Sequence, residues 1–539
     1  MHEFLILAIG LILVVSMLVM LGQYLRISYP IFLVIGGLLI SFIPGIPSIK
    51  IDPELIFLIF LPPLLYEAAW NTSWKEFWRW RRIIGVFAFG LVVFTSGIVA
   101  FVSNAMIPGF TLSLGFLLGG IISPPDAVAA TSVLRGLKIP KRITHILEGE
   151  SLVNDAASLI VFRFALAAVL TGTFVFHLAA VNFVLVTVMG VVIGVAIALV
   201  FYSIHRWMPT TPSIDTALTL IAPYAMYITA EQFHFSGVMA VVSGGLFISY
   251  RSHQIFSHTS RLQSVSMWST LGFVLNGLVF MLIGLELPVI INQLGEYSRG
   301  EALTYALIIS AVIIITRIGF TLASSVFTHY ISRVITTADA HPGWRGPLIV
   351  GWAGMRGVVS LASALSVPLL LSNGDAFPQR NLILFITFVV ILVTLVLQGL
   401  TLPLVIRWVK YVDPDEAKPA HVQESEIRTH LSGIALARFE ERYGERTNEN
   451  ELLRSLRFKF DKDVKLSSEV NSEEAIQKHT AEAEEFSHAL IELIGIQRKE
   501  LHKLRKSKEY DHEVIRNMEA QFDLEEEKLK LQVAGRRPS

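Results

Sequence analysis

From Phe4 to Trp408, apolar blocks recur between short polar breaks. Each is about as long as the ~20 residues with which an α-helix crosses ~30 Å of hydrocarbon. That rhythm makes the chain an all-α membrane protein. Spans are predicted at residues 4–22, 30–45, 53–70, 83–104, 111–133, 144–171, 178–204, 214–231, 236–249, 266–292, 302–328, 346–371 and 382–408, thirteen in all. After Lys410 the chain turns rich in Glu, Lys and Arg, with no spanning block. The boundary therefore divides a transmembrane domain, residues 1–410, from a charged helical C-terminal domain, residues 411–539.

The start of the chain carries His2 and Glu3 rather than a basic stretch, and no small-residue cleavage site follows, so the first block is expected to be a retained helix. With no cysteine, disulfides, thiol catalysis and thiolate metal sites are excluded. A formal net charge of +0 gives no case for a nucleic-acid partner. Orientation follows from local charge. Arg26; Lys75, Arg79, Arg81 and Arg82; Arg135, Lys138, Lys141 and Arg142; Arg206; Arg251 and Arg261; and Arg333 and Arg345 fall in loops on the tail's side, against Lys50, Arg299 and Arg380 opposite. The positive-inside rule then places the tail in the cytoplasm and the N-terminus outside. Trp70, Trp74, Trp78 and Trp80 fit an interfacial aromatic belt at one cytoplasmic boundary.

Thirteen spans suggest six helices, a linker and six more with the halves inverted, an arrangement that transporters combine with broken helices. The fifth span reads Gly119-Gly-Ile-Ile-Ser-Pro-Pro-Asp126, whose paired prolines remove two backbone donors and interrupt the helix. The twelfth reads Gly351-Trp-Ala-Gly-Met-Arg-Gly357 and is loosened by three glycines. Irregular backbone at that depth needs protein or a water-filled cavity to satisfy it. Both spans are expected to border an ion path.

The sixth span carries Glu148-Gly-Glu-Ser-Leu-Val-Asn-Asp155. A charge at the bilayer centre costs about 2.5–3.5 kcal/mol on insertion scales, so ionisable groups there mark ion or proton paths. At 1.5 Å per residue, Asp155 lies roughly 16 Å from its helix start, Arg356 and Arg317 at similar depth, Asp126 at roughly 10 Å and Glu67 near 5 Å. Five ionisable residues from five spans thus share one slab. Ser151 and Asp155 lie on one helix face with Asn154 on the flank. Hydroxyl, amide and carboxylate oxygens are hard ligands suited to a small alkali cation. A carboxylate withdrawn from water favours its protonated form and can exchange that proton for an arriving cation. One Asp beside a neutral Asn suggests one charge exchanged for one. Glu150, on another face, is expected to pair with Arg356, while Arg317 and Asp126 offset the half-helix ends at the two breaks. Structural roles are at least as plausible as ion contact for these four. Glu286 is a possible partner for Arg163, and His145, His205 and His253 read as surface histidines at cytoplasmic boundaries.

These residues resemble a known family. The octet, Pro124-Pro-Asp-Ala-Val128, Gly354-Met-Arg-Gly357 and Phe60-Leu-Pro-Pro-Leu-Leu-Tyr-Glu67 look like the signatures of monovalent cation:proton antiporters of the NhaP/NHE type, over residues 1 to about 410. The resemblance implies a thirteen-helix inverted repeat, a homodimer, and a six-helix core domain moving against a dimerisation domain. It further implies Asp155 as ion and proton carrier, with Ser151, Glu67, Asp126 and the backbone near Pro125 around the cation. Related members carry a hydroxyl residue where Pro125 stands, and Pro125 offers only a carbonyl. The implied partners are Na+, Li+ or K+, protons and the lipid bilayer of a bacterial-type cell membrane, with no resident cofactor. Two other classes fit the residues less well. A cation channel would need a carbonyl filter that is not evident, and an intramembrane hydrolase would need a base beside Ser151. The tail shows helical spacing in Leu431 to Tyr443, Glu473 to Lys506 and His512 to Leu531, with no phosphate loop or metal cluster.

Overall fold

The computed structural model describes residues 2–25, 28–43, 53–134, 139–172, 176–292, 294, 297–333, 339, 342–371, 374–411, 420–448, 450–468, 473–506 and 510–536. Among the sequence expectations, Arg26, Lys50, Arg135 and Lys138 lie outside these residues. The chain divides into two compact units, Met1–Tyr411 and Val412–Ser539.

The first unit is built from helices α1 (His2–Leu25), α2 (Tyr29–Ser41), α3 (Pro53–Asn71), α4 (Trp74–Met106), α5 (Leu112–Ile122), α6 (Ala127–Leu134), α7 (Lys141–Thr171), α8 (Phe176–Trp207), α9 (Pro212–Gln232), α10 (Gly237–Ile255), α11 (His258–Asn292), α12 (Arg299–Ile331), α13 (Arg345–Trp352), α14 (Val358–Leu365) and α15 (Arg380–Val409). Among the described residues, seven helical stretches are long and apolar enough to cross a membrane by length and composition. The protein is an integral membrane protein. Lipid offers no hydrophobic drive between helices, so close packing of small residues matters. A side-chain carbon at Gly37 of α2 would lie 2.3 Å from the Met281 carbonyl oxygen of α11, and one at Gly284 would lie 2.2 Å from that of Val34. These two glycines let α2 and α11 run backbone against backbone.

Two apolar cores form in this unit. One gathers α1, α2, α5, α6 and α11 to α15 with parts of α4 and α7; the other gathers α3, α8, α9, α10 and the middle of α7. Helix α7 contributes to both, Leu147 and Phe162 to the first and Leu152 and Ala156 to the second.

Several expectations are corrected. Arg79, Arg81 and Arg82, expected in a loop, sit in the opening turns of α4, which begins at Trp74 rather than near residue 83. The Ser73 side chain caps this helix by accepting from the Glu76 N–H. Of the expected aromatic belt, Trp74 and Trp78 are exposed and stack at 5.5 Å, whereas Trp70 and Trp80 are buried in the two cores. The span expected to reach residue 371 stops at Leu365. Pro368, three residues on, has no N–H to extend the hydrogen-bond ladder, and its ring crowds the preceding turn. His205 is not a surface histidine. It is buried, its Nδ1 lies 2.8 Å from Oδ1 of Asp215, and Ser260 donates to the other Asp215 oxygen at 2.7 Å, tying α8, α9 and α11 together.

The second unit contains α16 (Ala420–Tyr443), α17 (Glu451–Ser468), α18 (Glu473–Lys506) and α19 (His512–Arg536). Helix α16 packs on α17 and α18 on α19. Ile494, Leu501, Ile515 and Leu529 are buried, and Arg498 bridges to Asp523 at 2.5 Å and Glu526 at 2.9 Å.

Candidate ion site

The interruption of the fifth predicted span falls at residues 123–126, between α5 and α6, and that of the twelfth at residues 353–357, between α13 and α14. The two breaks touch. The Asp126 N–H donates to the Met355 carbonyl at 2.7 Å. Each break leaves one half-helix C-terminus with spare carbonyls and one N-terminus with spare N–H groups, carrying partial negative and positive charge.

Two side chains of opposite sign answer these ends. Asp126 accepts from the Val128 N–H at 2.8 Å and also faces the N–H groups of Ala129 and Val358, so one carboxylate caps the N-termini of both α6 and α14. Arg356 donates through Nε to the Ile122 carbonyl at 3.0 Å, at the end of α5, and through Nη1 to the Gly354 carbonyl just past α13. Its own N–H donates to Thr394 Oγ1 of α15 at 3.2 Å. Gly357 makes the junction possible, because a side-chain carbon there would lie 1.8 Å from Asp126 Oδ2. Gly357→Ala is therefore expected to push the breaks apart and cost about 1–3 kcal/mol, the usual range for overpacking. A thermal melt of the purified protein reads this as a lowered midpoint, and an unchanged melt would contradict the close junction.

The pairing expected for Glu150 is corrected. Its carboxylate receives a two-pronged bond from Arg317, Nη1 to Oε1 at 2.6 Å and Nη2 to Oε2 at 2.8 Å, with both side chains 1% exposed. Arg317 also donates to the Val350 carbonyl at 3.3 Å and packs over Gly354. The arginines have thus exchanged the roles read from spacing. Arg317 of α12 holds Glu150 of α7, and Arg356 serves the helix ends.

Above that pair, α7 presents the oxygens of its octet to the breaks. Ser151 Oγ accepts from the Ala127 N–H at 3.1 Å, in the first turn of α6. Asn154 donates to the Pro125 carbonyl at 3.1 Å, so a carbonyl inside the break is engaged by the amide. Asn154 Oδ1 is buried and has no hydrogen-bond partner among the described residues. Asp155 is 8% exposed. No hydrogen bond or ion pair reaches its carboxylate among the described residues, although Asp126 lies close enough to act on it electrostatically.

A cavity of about 690 Å³ opens onto this group. Glu67, Asp126, Glu148 and Asp155 line it, and among the described residues no Lys, Arg or His does so. Asp126, Ser151, Asp155, Pro125 and Glu67 are thereby brought to one space. Asn154 lies beside it, while Glu150, Arg317 and Arg356 stand behind the wall. Glu67 is also approached by the Asn71 amide at 3.4 Å and lies against Gly272, where a side-chain carbon would meet its Oε2 at 2.5 Å. Ser269, Thr270 and Asn276 of α11 complete the far wall, and sequence reasoning missed them. Their only signal is polarity inside an apolar block. Asn276 is buried and donates to the Gly272 carbonyl at 2.9 Å.

Broken helices meeting beside an acid-lined cavity within a bundle of apolar helices are the construction of a secondary transporter. The chain belongs to the sodium/hydrogen exchanger family, whose transmembrane family model matches residues 10–408. It is 31% identical over 533 residues to an uncharacterized Na+/H+ exchanger of Mycobacterium tuberculosis (strain H37Rv), covering 97% of each chain. It is 33% identical over 390 residues to a sodium, potassium, lithium and rubidium/H+ antiporter of Bacillus pumilus, covering 70% of this chain and 57% of that one. The fold is similar to the sodium proton antiporter MjNhaP1 of Methanocaldococcus jannaschii, with a TM-score of 0.58, 18% identity, and coverage of 74% of this chain and 98% of that chain.

Proposed function

We propose that the protein exchanges Na+ or Li+ for H+ across the membrane by alternating access, one proton per cation, with Asp155 carrying either the cation or the proton. The carrying observation is the Asp155 carboxylate, which faces an acid-lined cavity and is reached by no hydrogen bond or ion pair among the described residues. A buried carboxylate without a partner is unfavourable when charged. It is relieved by a proton or by a cation, and binding one displaces the other. Ser151, Asn154, Asp126, Glu67 and the Pro125 backbone supply the remaining oxygens around the transported ion. Lowering the pH then raises the cation concentration needed for half-maximal transport, because protons occupy the same oxygens. The exchange is electroneutral, since Asn154 beside Asp155 adds no second charge.

The same reading takes the membrane unit as thirteen spans in a 6+1+6 inverted repeat, paired as a homodimer in a bacterial-type cell membrane. Its N-terminus lies outside and its helical tail in the cytoplasm, on the side rich in Arg and Lys. Potassium is the second substrate reading, favoured by the potassium named among the cations of the Bacillus pumilus antiporter. Sealed proteoliposomes loaded with a pH dye and given Na+, Li+ or K+ gradients test these assignments. Cation-driven proton movement without a change in membrane potential is the expected result. Cation conductance with no coupled proton movement would instead make the protein a channel.

A further inference from the structure

The partner of Arg163 is not Glu286 but Glu231, whose two carboxylate oxygens are both met by the single nitrogen Nη2, at 2.7 Å from Oε1 and 2.6 Å from Oε2. We infer that this pair is a latch that holds α7 against α9 on the face opposite the cavity, and that it opens and closes once in each transport cycle. The inference rests on the alternating-access reading above.

Four observations place the latch. Arg163 is eight residues beyond Asp155 on α7, roughly 12 Å further along the helix. The cavity is lined by Glu148, Ser151, Leu152 and Asp155 of α7 and by no later residue of that helix, so Arg163 lies on the side the cavity does not reach. Glu231 stands in the last turn of α9, and its Oε1 also accepts from the Gly237 N–H at 3.2 Å, at the start of α10. That helix N-terminus favours a negative charge and fixes the carboxylate. Finally, α9 and α10 belong to one apolar core, whereas the outer part of α7, through Phe162 and Ala165, belongs to the other. The pair therefore joins residues from two packed groups of helices.

A pair partly open to water suits the task. Arg163 is 42% exposed and Glu231 28%, and pairs of this kind contribute about 0–1 kcal/mol. A bond that must break in each cycle cannot be strong. By that scale, losing it shifts the balance between the two access states up to about five-fold. Apparent affinity scales with the fraction of protein in the competent state. Arg163→Ala or Glu231→Ala should therefore lower the half-saturating cation concentration on the latch face and raise it on the cavity face. Arg163 and Glu231 act through the position of α7 rather than by touching the ion.

Right-side-out and inside-out vesicles containing the full chain separate the two faces. The expected result is opposite shifts of a few-fold on the two faces in each single variant, with native values regained in Arg163→Lys. Equal shifts on both faces, or no shift, would overturn the latch. The chain has no native cysteine, so a second test is clean. Arg163→Cys with Glu231→Cys, joined by a short bis-methanethiosulfonate and checked by mass, should stop transport until a reductant is added. Undiminished transport by the fully cross-linked protein also overturns it. If the native chain moves no protons in response to a cation gradient, the antiport reading fails first, and that failure is visible before any variant is made.

Discussion

Asp155→Asn is expected to reduce cation-driven proton movement to background while leaving the protein folded. Asparagine keeps the shape of the side chain and removes the group that can hold a proton or balance a cation. No arginine or lysine loses a partner, because the Asp155 carboxylate makes no ion pair among the described residues. Burying a carboxylate without compensation is costly, so the neutral amide relieves an unfavourable charge. Thermal stability should be unchanged or slightly raised, and flux in proteoliposomes should be absent with Na+, Li+ and K+ alike. Loss of transport together with a large loss of stability would assign Asp155 a structural part instead.

Breaking the Glu150–Arg317 pair has the opposite signature. Arg317→Leu leaves Glu150 buried and charged beside a leucine, and removing one partner of such a pair costs about 3–5 kcal/mol. Both side chains are 1% exposed, so solvent cannot replace the lost bonds. The change also withdraws a donor from the Val350 carbonyl and removes packing over Gly354, next to the second helix break. Transport falls because the wall behind the ion site loosens. The double variant Glu150→Gln with Arg317→Leu should regain much of the stability, since removing a buried pair together is often nearly neutral. Melting curves of the four proteins in a double-mutant cycle measure this coupling. Additive losses would mean that the two residues stabilise the bundle independently.

The difference between these two acids, five residues apart on α7, shows what the sequence makes legible. Apolar block length gives the helices, and Pro124-Pro125 gives the first break, because neither effect depends on a distant partner. The octet marks Asp155, Asn154 and Ser151 through the cost of polar groups at that depth. Partner choice is another matter. Rise per residue places Arg317 and Arg356 at the same depth, yet only the packing of α12 and of the break between α13 and α14 around α7 decides which one faces Glu150. His205 and Arg163 fail for the same reason. Asp215 is ten residues from His205 across a helix hairpin, and Glu231 is 68 residues from Arg163, so neither pairing leaves a periodic trace. The polar wall of α11 was overlooked because Ser269, Thr270 and Asn276 read as ordinary interruptions of an apolar block until the cavity gives them a common face.

Proton release on cation binding tests the central claim most directly. The claim is that one carboxylate exchanges a proton for a cation. Calorimetric titration of the purified protein with Na+ or Li+, in buffers of differing ionisation enthalpy, counts the protons set free per cation bound. At a pH where the site is protonated, the native chain should release close to one proton per cation, and Asp155→Asn should release none. Undiminished proton release by Asp155→Asn would show that the exchanged proton resides elsewhere, and the account built on this residue would be wrong.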